Sequence, residues 1–303
     1  MLLALAIDLA IGEYPGYLHP VAWMGGVISM LLRPAPRQST ARFIYGALAV
    51  CSCIALFSAL AYFLLVYLKG LSLLAYVIAA AILLKATFSL RGLCRAAQKV
   101  KRLLENGELM MARQETGYLV SRDTQTLDSQ RLTSAIMEMS AESVTDSFVA
   151  PLLYWLLLGV PGAIAYRVVN TFDSRIGYHG EYEYLGKFAA RADDLLNYIP
   201  ARISGLLLVA AAYLSQRDGK RAWRIMLRDH RRTESPNAGW TMAAMAGALG
   251  VQLEKPGYYL LGEAEEPLSS CSINSSLGLV LIACFIWYGI CLGLVGACYV
   301  ITA

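Results

Sequence analysis

The chain has 303 residues, of which 57% are hydrophobic and 16% are charged, and its mean hydropathy is +0.50. Average soluble domains contain roughly 45–50% apolar and about 25% charged residues. The composition therefore argues against an ordinary soluble enzyme and against a disordered chain. The net charge of +4 is modest, and the sequence contains no nucleic-acid-binding module, so we expect no nucleic acid among its partners.

Long uncharged runs predict an all-α, polytopic integral membrane protein. Residues 43–68 and 277–301 carry no charged side chain, and a helix needs about 20 apolar residues to cross a bilayer. Residues 71–90 form a third candidate span, interrupted by Lys85. Because Lys85 lies near the end of this run, we expect its ammonium group to snorkel to the membrane interface.

Two further apolar segments are irregular. Residues 148–169 contain Gly159-Val160-Pro161-Gly162, and because proline interrupts a helix, we expect a broken helix or a re-entrant hairpin there. Residues 203–214 are apolar but too short to cross a bilayer straight.

Basic residues orient the predicted spans. They lie before the first span (Arg33, Arg37 and Arg42), directly after residue 90, and over 217–232. Because positively charged loops tend to stay in the cytoplasm, residues 91–147 and 215–266 are predicted as cytoplasmic helical segments. We treat 1–303 as a single membrane-embedded domain, multi-pass in the cytoplasmic membrane, with its active site facing the cytoplasm.

Three carboxylates recur every four residues at Glu138, Glu142 and Asp146. This spacing places them on one helix face, where like charges destabilise an isolated helix. Arginine or lysine partners could offset the repulsion, and so could Mg²⁺, which prefers carboxylate oxygens and usually binds together with substrate phosphates. The alternative is an ordinary solvated acidic face.

Other polar blocks are the turn at residues 121–124, within the predicted cytoplasmic helices, and the segments 170–178, 191–202 and 228–240. The segments 170–178 and 191–202 lie at the predicted membrane boundary. Surface ion pairs could explain each block alone, but polar residues at the mouth of a span are costly unless they are used. Together they predict a site rich in carboxylates and arginines, suited to a Mg²⁺-dependent reaction on a phosphorylated substrate.

These motifs resemble the adenosylcobinamide-phosphate synthases, the CbiB/CobD family of cobalamin biosynthesis. The resemblance lies in Val120-Ser121-Arg122-Asp123-Thr124, Glu138 with Glu142, Ala150-Pro151-Leu152, Asn170-Thr171-x-Asp173-Ser174 with Gly177-Tyr178, Ala190-Arg191-x-Asp193-Asp194-x-x-Asn197-Tyr198-x-Pro200-Ala201-Arg202, Ser235-Pro236-Asn237-Ala238-Gly239, and Asp8, Gly12 and His19-Pro20-Val21-x-x-Met24-Gly25 near the N-terminus. It covers most of the chain, from about residue 5 to about residue 262.

The resemblance implies a membrane ligase that joins adenosylcobyric acid, a corrinoid substrate, to (R)-1-aminopropan-2-ol O-phosphate or ethanolamine phosphate. ATP would convert the corrinoid carboxylate into an acyl phosphate, with Mg²⁺ and arginines stabilising the transferring phosphoryl group. Besides these substrates and membrane lipid, other membrane enzymes of cobalamin assembly and a homo-oligomer are compatible partners.

Residue types then suggest roles within one pocket under the inner leaflet. The catalytic candidates are Glu138, Glu142, Asp173, Asp193 and Asp194. The candidates for binding substrate or phosphate are Arg122, Asp123, Asn170, Arg175, Arg191, Asn197, Arg202, Ser235 and Asn237. The candidate Mg²⁺ ligands are Glu142, Asp146 and Asp193.

The chain departs from the family pattern at two places, and two other functions stay open. Family members commonly have Glu-Asn where this chain has Glu142-Ser143, and Gly-Asp-Pro where it has Gly12-Glu13-Tyr14-Pro15. These changes bear on substrate choice more than on the class of reaction. The alternatives are a non-enzymatic membrane signalling protein of the AmpE type, which should not need the polar constellation at 191–202, and a transporter, which favours inverted repeats and charges near the bilayer midplane.

Overall fold

A computed structural model describes residues 1–177, 180 and 182–302. Tyr178, which belongs to one of the motifs above, lies outside the described residues. Within the described part, the chain is nearly all helical, which confirms the predicted fold class of a polytopic all-α membrane protein. Four helical stretches there are long and apolar enough to cross a membrane, and a bent helix pair over 183–214 could supply a fifth.

The helices and strands are numbered in chain order. The first helices are α1 (Leu2–Ala10), α2 (Pro20–Leu32), α3 (Ser39–Leu71), α4 (Leu73–Lys85), α5 (Leu90–Glu105), α6 (Leu109–Gly117) and α7 (Ser129–Val144), with a 3₁₀ turn at Gly16–Leu18. A π-helical segment (Thr145–Val149) leads into α8 (Ala150–Ile176), α9 (Glu183–Leu196), α10 (Tyr198–Leu214), α11 (Gly219–Asp229), α12 (Ala238–Leu249), strands β1 (Gln252–Lys255) and β2 (Tyr259–Gly262), and α13 (Ser270–Thr302).

The contacts divide the chain into two compact units, each built from two segments. One unit comprises Met1–Arg91 and Ala150–Asn197, and the other comprises Gly92–Val149 and Tyr198–Ala303. We call them the first and the second unit. The single domain predicted over 1–303 stays a prediction.

Helix α3 contains the predicted span 43–68 and presents large apolar side chains outward. Leu48, Leu60 and Phe63 are each more than half exposed, which suits lipid rather than water. Its inner face approaches α9 closely, because a Cβ atom built on Gly46 would lie 2.0 Å from the carbonyl oxygen of Leu185. Only a residue without a side chain fits this contact.

Helix α8 is broken where the sequence predicts it. Gly159 has φ +69° and ψ −164°, so two helical parts meet at a kink, and glycine adopts this conformation without steric cost. Pro161 follows directly, and Ser58 of α3 donates a hydrogen bond to its carbonyl oxygen at 3.3 Å. Of the two predicted alternatives, the structure has the broken helix.

The second unit contains an apolar cluster formed by α5, α7 and α13, in which Val100, Ile136 and Ile273 are fully buried. Helix α10 begins at Tyr198, earlier than the predicted residue 203, and Pro200 lies in its first turn. Proline is tolerated there because the first N–H groups of a helix have no intrahelical partner. Asn197 separates α9 from α10.

A β-hairpin stands within the segment 215–266, which was predicted as helical. Strands β1 and β2 pair antiparallel with Lys255 opposite Tyr259, and Gly257 in the turn has φ +80°. Leu253 and Leu261 face each other on the buried side. Each strand has four residues, which is too short for its alternation to be distinguished from a helical pattern.

The close approach at Gly46 generates a prediction with a control in the same helix. Gly46→Ala should lower the free energy of unfolding by about 1–3 kcal/mol, because the added methyl group collides with backbone. Gly70→Ala, with nothing within 4 Å of the added Cβ, should be neutral or stabilising by up to about 1 kcal/mol. Thermal unfolding in detergent measures both; equal midpoints would contradict the contact.

Candidate active site

Four polar side chains of the first unit form one buried cluster, which we call the amide cluster: Tyr166, Asn170, Asp193 and Asn197. Asn170 Nδ2 donates to Asp193 Oδ1 at 3.4 Å, and Asn197 Nδ2 donates to Asp193 Oδ2 at 2.9 Å. The Tyr166 hydroxyl donates to Asn197 Oδ1 at 2.9 Å. Each carboxylate oxygen of Asp193 therefore accepts one hydrogen bond from a side-chain amide, which fixes the orientation of both asparagines.

Aromatic and basic side chains support the amide cluster. The rings of Tyr154 and Tyr166 stack with centroids 5.3 Å apart, and the Tyr154 hydroxyl donates to the carbonyl oxygen of Leu196 at 2.8 Å. Arg167 Nη1 donates to Asn170 Oδ1 at 3.0 Å. The sequence analysis missed Arg167, although a charged residue within the apolar run 148–169 is a usable signal.

The other predicted residues of the first unit are more accessible. Asp173 and Asp194 are half-buried, and Arg191 is exposed. Arg175 Nη1 donates to Ser29 Oγ at 2.7 Å, so it is held by α2. Of the predicted residues in this unit, the structure brings Asn170, Asp193 and Asn197 together through direct hydrogen bonds.

A second cluster of the first unit surrounds Lys85, and we call it the lysine cluster: Asp8, Glu13, His19 and Lys85. The Lys85 ammonium is fully buried, 3.2 Å from Asp8 Oδ1 and 3.2 Å from Glu13 Oε1. The expectation that Lys85 snorkels is therefore wrong. Two carboxylates compensate its charge inside the protein, so it has no need to reach the interface.

The same cluster orders the start of two helices. Asp8 Oδ2 accepts the backbone N–H groups of Leu90 and Arg91 at 3.2 and 3.1 Å, which caps α5. His19 Nδ1 accepts the Val21 N–H at 3.2 Å and caps α2. A ring nitrogen that accepts carries no proton, so the His19 proton lies on Nε2, which is 2.6 Å from Glu13 Oε2.

Glu13 has an unusually acidic side chain. Partial burial raises its pKa, but hydrogen bonds from His19 and Ser89 and the Lys85 ammonium outweigh that effect and lower the pKa to about 2. The carboxyl group is therefore ionised over the whole physiological pH range. The sequence analysis noted Glu13 as a family departure and did not foresee its pairing with Lys85.

In the second unit, Glu138 is the centre of a glutamate cluster: Arg122, Ser134, Glu138 and Tyr259. Arg122 forms an ion pair with its carboxylate, and the hydroxyls of Ser134 and Tyr259 donate to it at 2.6 and 2.7 Å. Glu138 is 1% exposed. Three donors thus occupy the carboxylate, which connects α7 to the β-hairpin.

Charge and burial shift the acidity of the residues around Glu138. Burial lowers the pKa of Arg122, but the hydrogen bond and charge of Glu138 outweigh it and raise the pKa overall. Burial and the Glu138 charge raise the pKa of Tyr259. Both groups therefore stay protonated as donors at neutral pH. Arginine supplies the compensating cation predicted for the acidic stripe, at least for Glu138.

Glu142 and Asp146, the other two carboxylates of the stripe, are half-buried. Asp146 belongs to the π-helical segment that follows α7. In the described ranges, no group of three or more His, Cys, Asp or Glu side chains could hold a metal ion. The donor set therefore fits Mg²⁺ only when substrate phosphates supply further ligands.

Three predicted binding residues of the second unit lie together. Arg202 Nη1 donates to Asn237 Oδ1 at 2.9 Å, and Ser235 Oγ accepts the Asn237 N–H at 3.2 Å. The Arg202 guanidinium lies 3.5 Å from the ring centroid of Tyr198 and 4.9 Å from that of Trp240. Asp123 is exposed and closes its own turn by accepting the Gln125 N–H.

Comparison with known proteins identifies the family. The CobD/CbiB protein family model matches residues 1–276. The cobalamin biosynthesis protein CobD of Dehalococcoides mccartyi is 50% identical over 97% of this chain and 96% of its own length. The chain belongs to the CobD/CbiB family. The probable cobalamin biosynthesis protein CobD of Methanothermobacter thermautotrophicus is 45% identical over 93% of this chain and 94% of its own length. No solved structure matches.

The predicted site residues of this CobD/CbiB protein fall into both units. The first unit holds Asn170, Asp173, Arg175, Arg191, Asp193, Asp194 and Asn197, and the second holds Arg122, Asp123, Glu138, Glu142, Asp146, Arg202, Ser235 and Asn237. That all of them share one pocket stays a prediction, and so do their individual roles.

The lysine cluster predicts a large loss of stability when its cation is removed. Lys85→Ala should destabilise the protein by about 3–5 kcal/mol, because it leaves the buried Asp8 carboxylate without its cation. Lys69→Ala is the matched control: Lys69 is exposed and has no ion-pair partner within the described ranges, so its effect should stay within about 0.5 kcal/mol. Thermal unfolding in detergent distinguishes the two, and similar midpoints would refute the buried pairing.

Proposed function

We propose that this protein is an ATP-dependent ligase that joins an amino-alcohol phosphate to adenosylcobyric acid and gives adenosylcobinamide phosphate. Membership of the CobD/CbiB family and the names of the relatives support a place in cobalamin biosynthesis. The observation that carries the proposal is the buried Asp193 carboxylate, held between the side-chain amides of Asn170 and Asn197. Such a rigid group is suited to orienting polar substrates.

The proposed reaction has two steps. An oxygen of the corrinoid carboxylate attacks the γ-phosphorus of ATP and ADP leaves, which gives an acyl phosphate. The nitrogen of the amino-alcohol phosphate then attacks the acyl carbon, phosphate leaves with the bonding electron pair, and the amine proton passes to a protein carboxylate. Activation is needed because a carboxylate is a poor electrophile.

The accessible carboxylates are the candidates for taking that proton. Asp173 and Asp194 are half-buried, so a substrate amine can reach them. Asp193 accepts hydrogen bonds from two amides and acts as a positioning residue for them. Arg202, which is directed by Asn237, and Arg191 would bind anionic substrate groups, because guanidinium matches phosphate and carboxylate in geometry.

Magnesium fits this scheme through the two half-buried acids Glu142 and Asp146, which would hold the ion together with phosphate oxygens. When bound, it would supply a positive charge that stabilises the transferring phosphoryl group. Glu138 would instead hold Arg122 and Tyr259 in place, since its carboxylate is already occupied by donors.

We further propose that the protein works in the cytoplasmic membrane with its site facing the cytoplasm, where ATP is available. Positively charged flanks of the spans support this orientation. Other membrane enzymes of cobalamin assembly and a second copy of the chain are candidate partners. Membrane lipid is a further candidate partner.

Mass spectrometry tests the reaction directly. We expect purified protein with adenosylcobyric acid, ATP, Mg²⁺ and both amino-alcohol phosphates to form an amide product only when ATP is present. With ¹⁸O in the corrinoid carboxylate, the acyl phosphate route should transfer one label to the released phosphate. An amide without label transfer would overturn the proposed intermediate, and no product would overturn the ligase.

The amide cluster predicts which residues control the rate. Asp193→Ala should lower kcat by about 100-fold, because both asparagines lose their orientation. Glu266→Ala is the control, since it removes an exposed carboxylate that forms no ion pair in the part of the chain described. The rate of amide formation measures the effect, with thermal unfolding to verify folding. A folded Asp193→Ala variant with normal kcat would show that Asp193 does not control the rate of amide formation.

A further inference from the structure

A cavity of about 470 Å³ in the first unit is lined by four arginines. Arg33 and Arg37 come from the segment between α2 and α3, Arg42 from the start of α3, and Arg175 from the end of α8. We call it the arginine cavity. Its volume lies within the range of roughly 300–1,000 Å³ that is typical of small-molecule sites.

Among the described residues that line the cavity, none is Asp or Glu. Within the same described part of the chain, no carboxylate forms an ion pair with Arg33, Arg37 or Arg175. Elsewhere in the chain, arginines such as Arg122 and Arg228 do have carboxylate partners. Guanidinium groups around one cavity repel each other, so an anion bound between them would be favoured.

The cavity is shaped around Arg175. A Cβ atom on Gly25 would lie 2.3 Å from Arg175 Nη2, so the absence of a side chain there gives the guanidinium its space. Ser29 Oγ accepts from Nη1 at 2.7 Å and fixes its direction. A defined guanidinium needs less ordering when a ligand binds.

Membrane orientation explains only part of this arrangement. Arg33, Arg37 and Arg42 flank a span, where the positive-inside tendency accounts for their charge. That tendency requires no cavity, and it does not explain why Arg175, which is distant in sequence, lines the same cavity. A common anionic ligand accounts for both features.

We propose that the arginine cavity binds a polyphosphate anion, the triphosphate of a nucleoside triphosphate. Guanidinium groups match phosphate oxygens in geometry and charge. The amino-alcohol phosphate fits less well, because its ammonium group would face arginines, and the described lining residues offer it no carboxylate. As a source of the triphosphate, ATP rests on the proposed ligase function.

Binding measurements on the full-length protein test this site. The probe is inorganic tripolyphosphate, measured by calorimetry in nanodiscs of phosphatidylcholine without Mg²⁺. Arg33 and Arg37 are exposed, so the double variant Arg33→Gln/Arg37→Gln should fold normally and bind about 10- to 100-fold more weakly. Arg95→Gln, which removes an exposed arginine outside the cavity, should bind like the wild type.

The outcomes separate the cavity from the reaction. Equal affinity of the double variant and the wild type would overturn the proposal. Repeating the titration in phosphatidylglycerol nanodiscs tests whether a lipid headgroup is the ligand. If the anionic lipid abolishes tripolyphosphate binding by the wild type and by Arg95→Gln alike, the nucleotide assignment is overturned. Arginine-dependent binding without amide formation would uphold the cavity and refute the ligase. Competition by ATP but not by ethanolamine phosphate is the result that supports the triphosphate.

Discussion

The cost of removing charge from water governs where the polar side chains of this protein lie. A buried ion costs several kcal/mol unless opposite charge and hydrogen bonds replace its hydration. Lys85, Glu138 and Asp229 are each almost fully buried, and each has an oppositely charged partner. The partners of Lys85 and Glu138 come from other segments, so these two pairs connect distant parts of the chain. Asp229 instead pairs with its neighbour Arg228 and also accepts the backbone N–H of Gly262.

Local features of the fold could be predicted from the sequence. The uncharged runs predict the long helices, and Gly159 and Pro161 predict the break in α8, because backbone restrictions act within a few residues. The partner of Lys85 could not be predicted in this way, since Asp8 is far away in sequence and the apolar run suggested snorkelling. The hairpin was missed for a different reason: its strands are too short to show a period.

In the candidate site, too, local contacts could be predicted from the sequence and contacts between distant residues could not. The spacing of Asp193 and Asn197 predicts a shared helix face, and they do bond to each other, whereas Asn170 joins them only through the packing of α8 against α9. The spacing of Glu138, Glu142 and Asp146 suggests one acidic face, but Glu138 is buried and Arg122 compensates its charge. Arg175 and Arg33 are far apart in sequence, so their position in the wall of one cavity could not be predicted.

The pairing of Asp8 with Lys85 has a consequence for biogenesis. Proteins are synthesised from the N-terminus, so Asp8 has already left the ribosome when the lysine of α4 reaches the bilayer. The lysine can then be neutralised as its helix inserts, rather than waiting for a partner still to be made. An order of synthesis in which residues 1–32 came last would lose this advantage of timing.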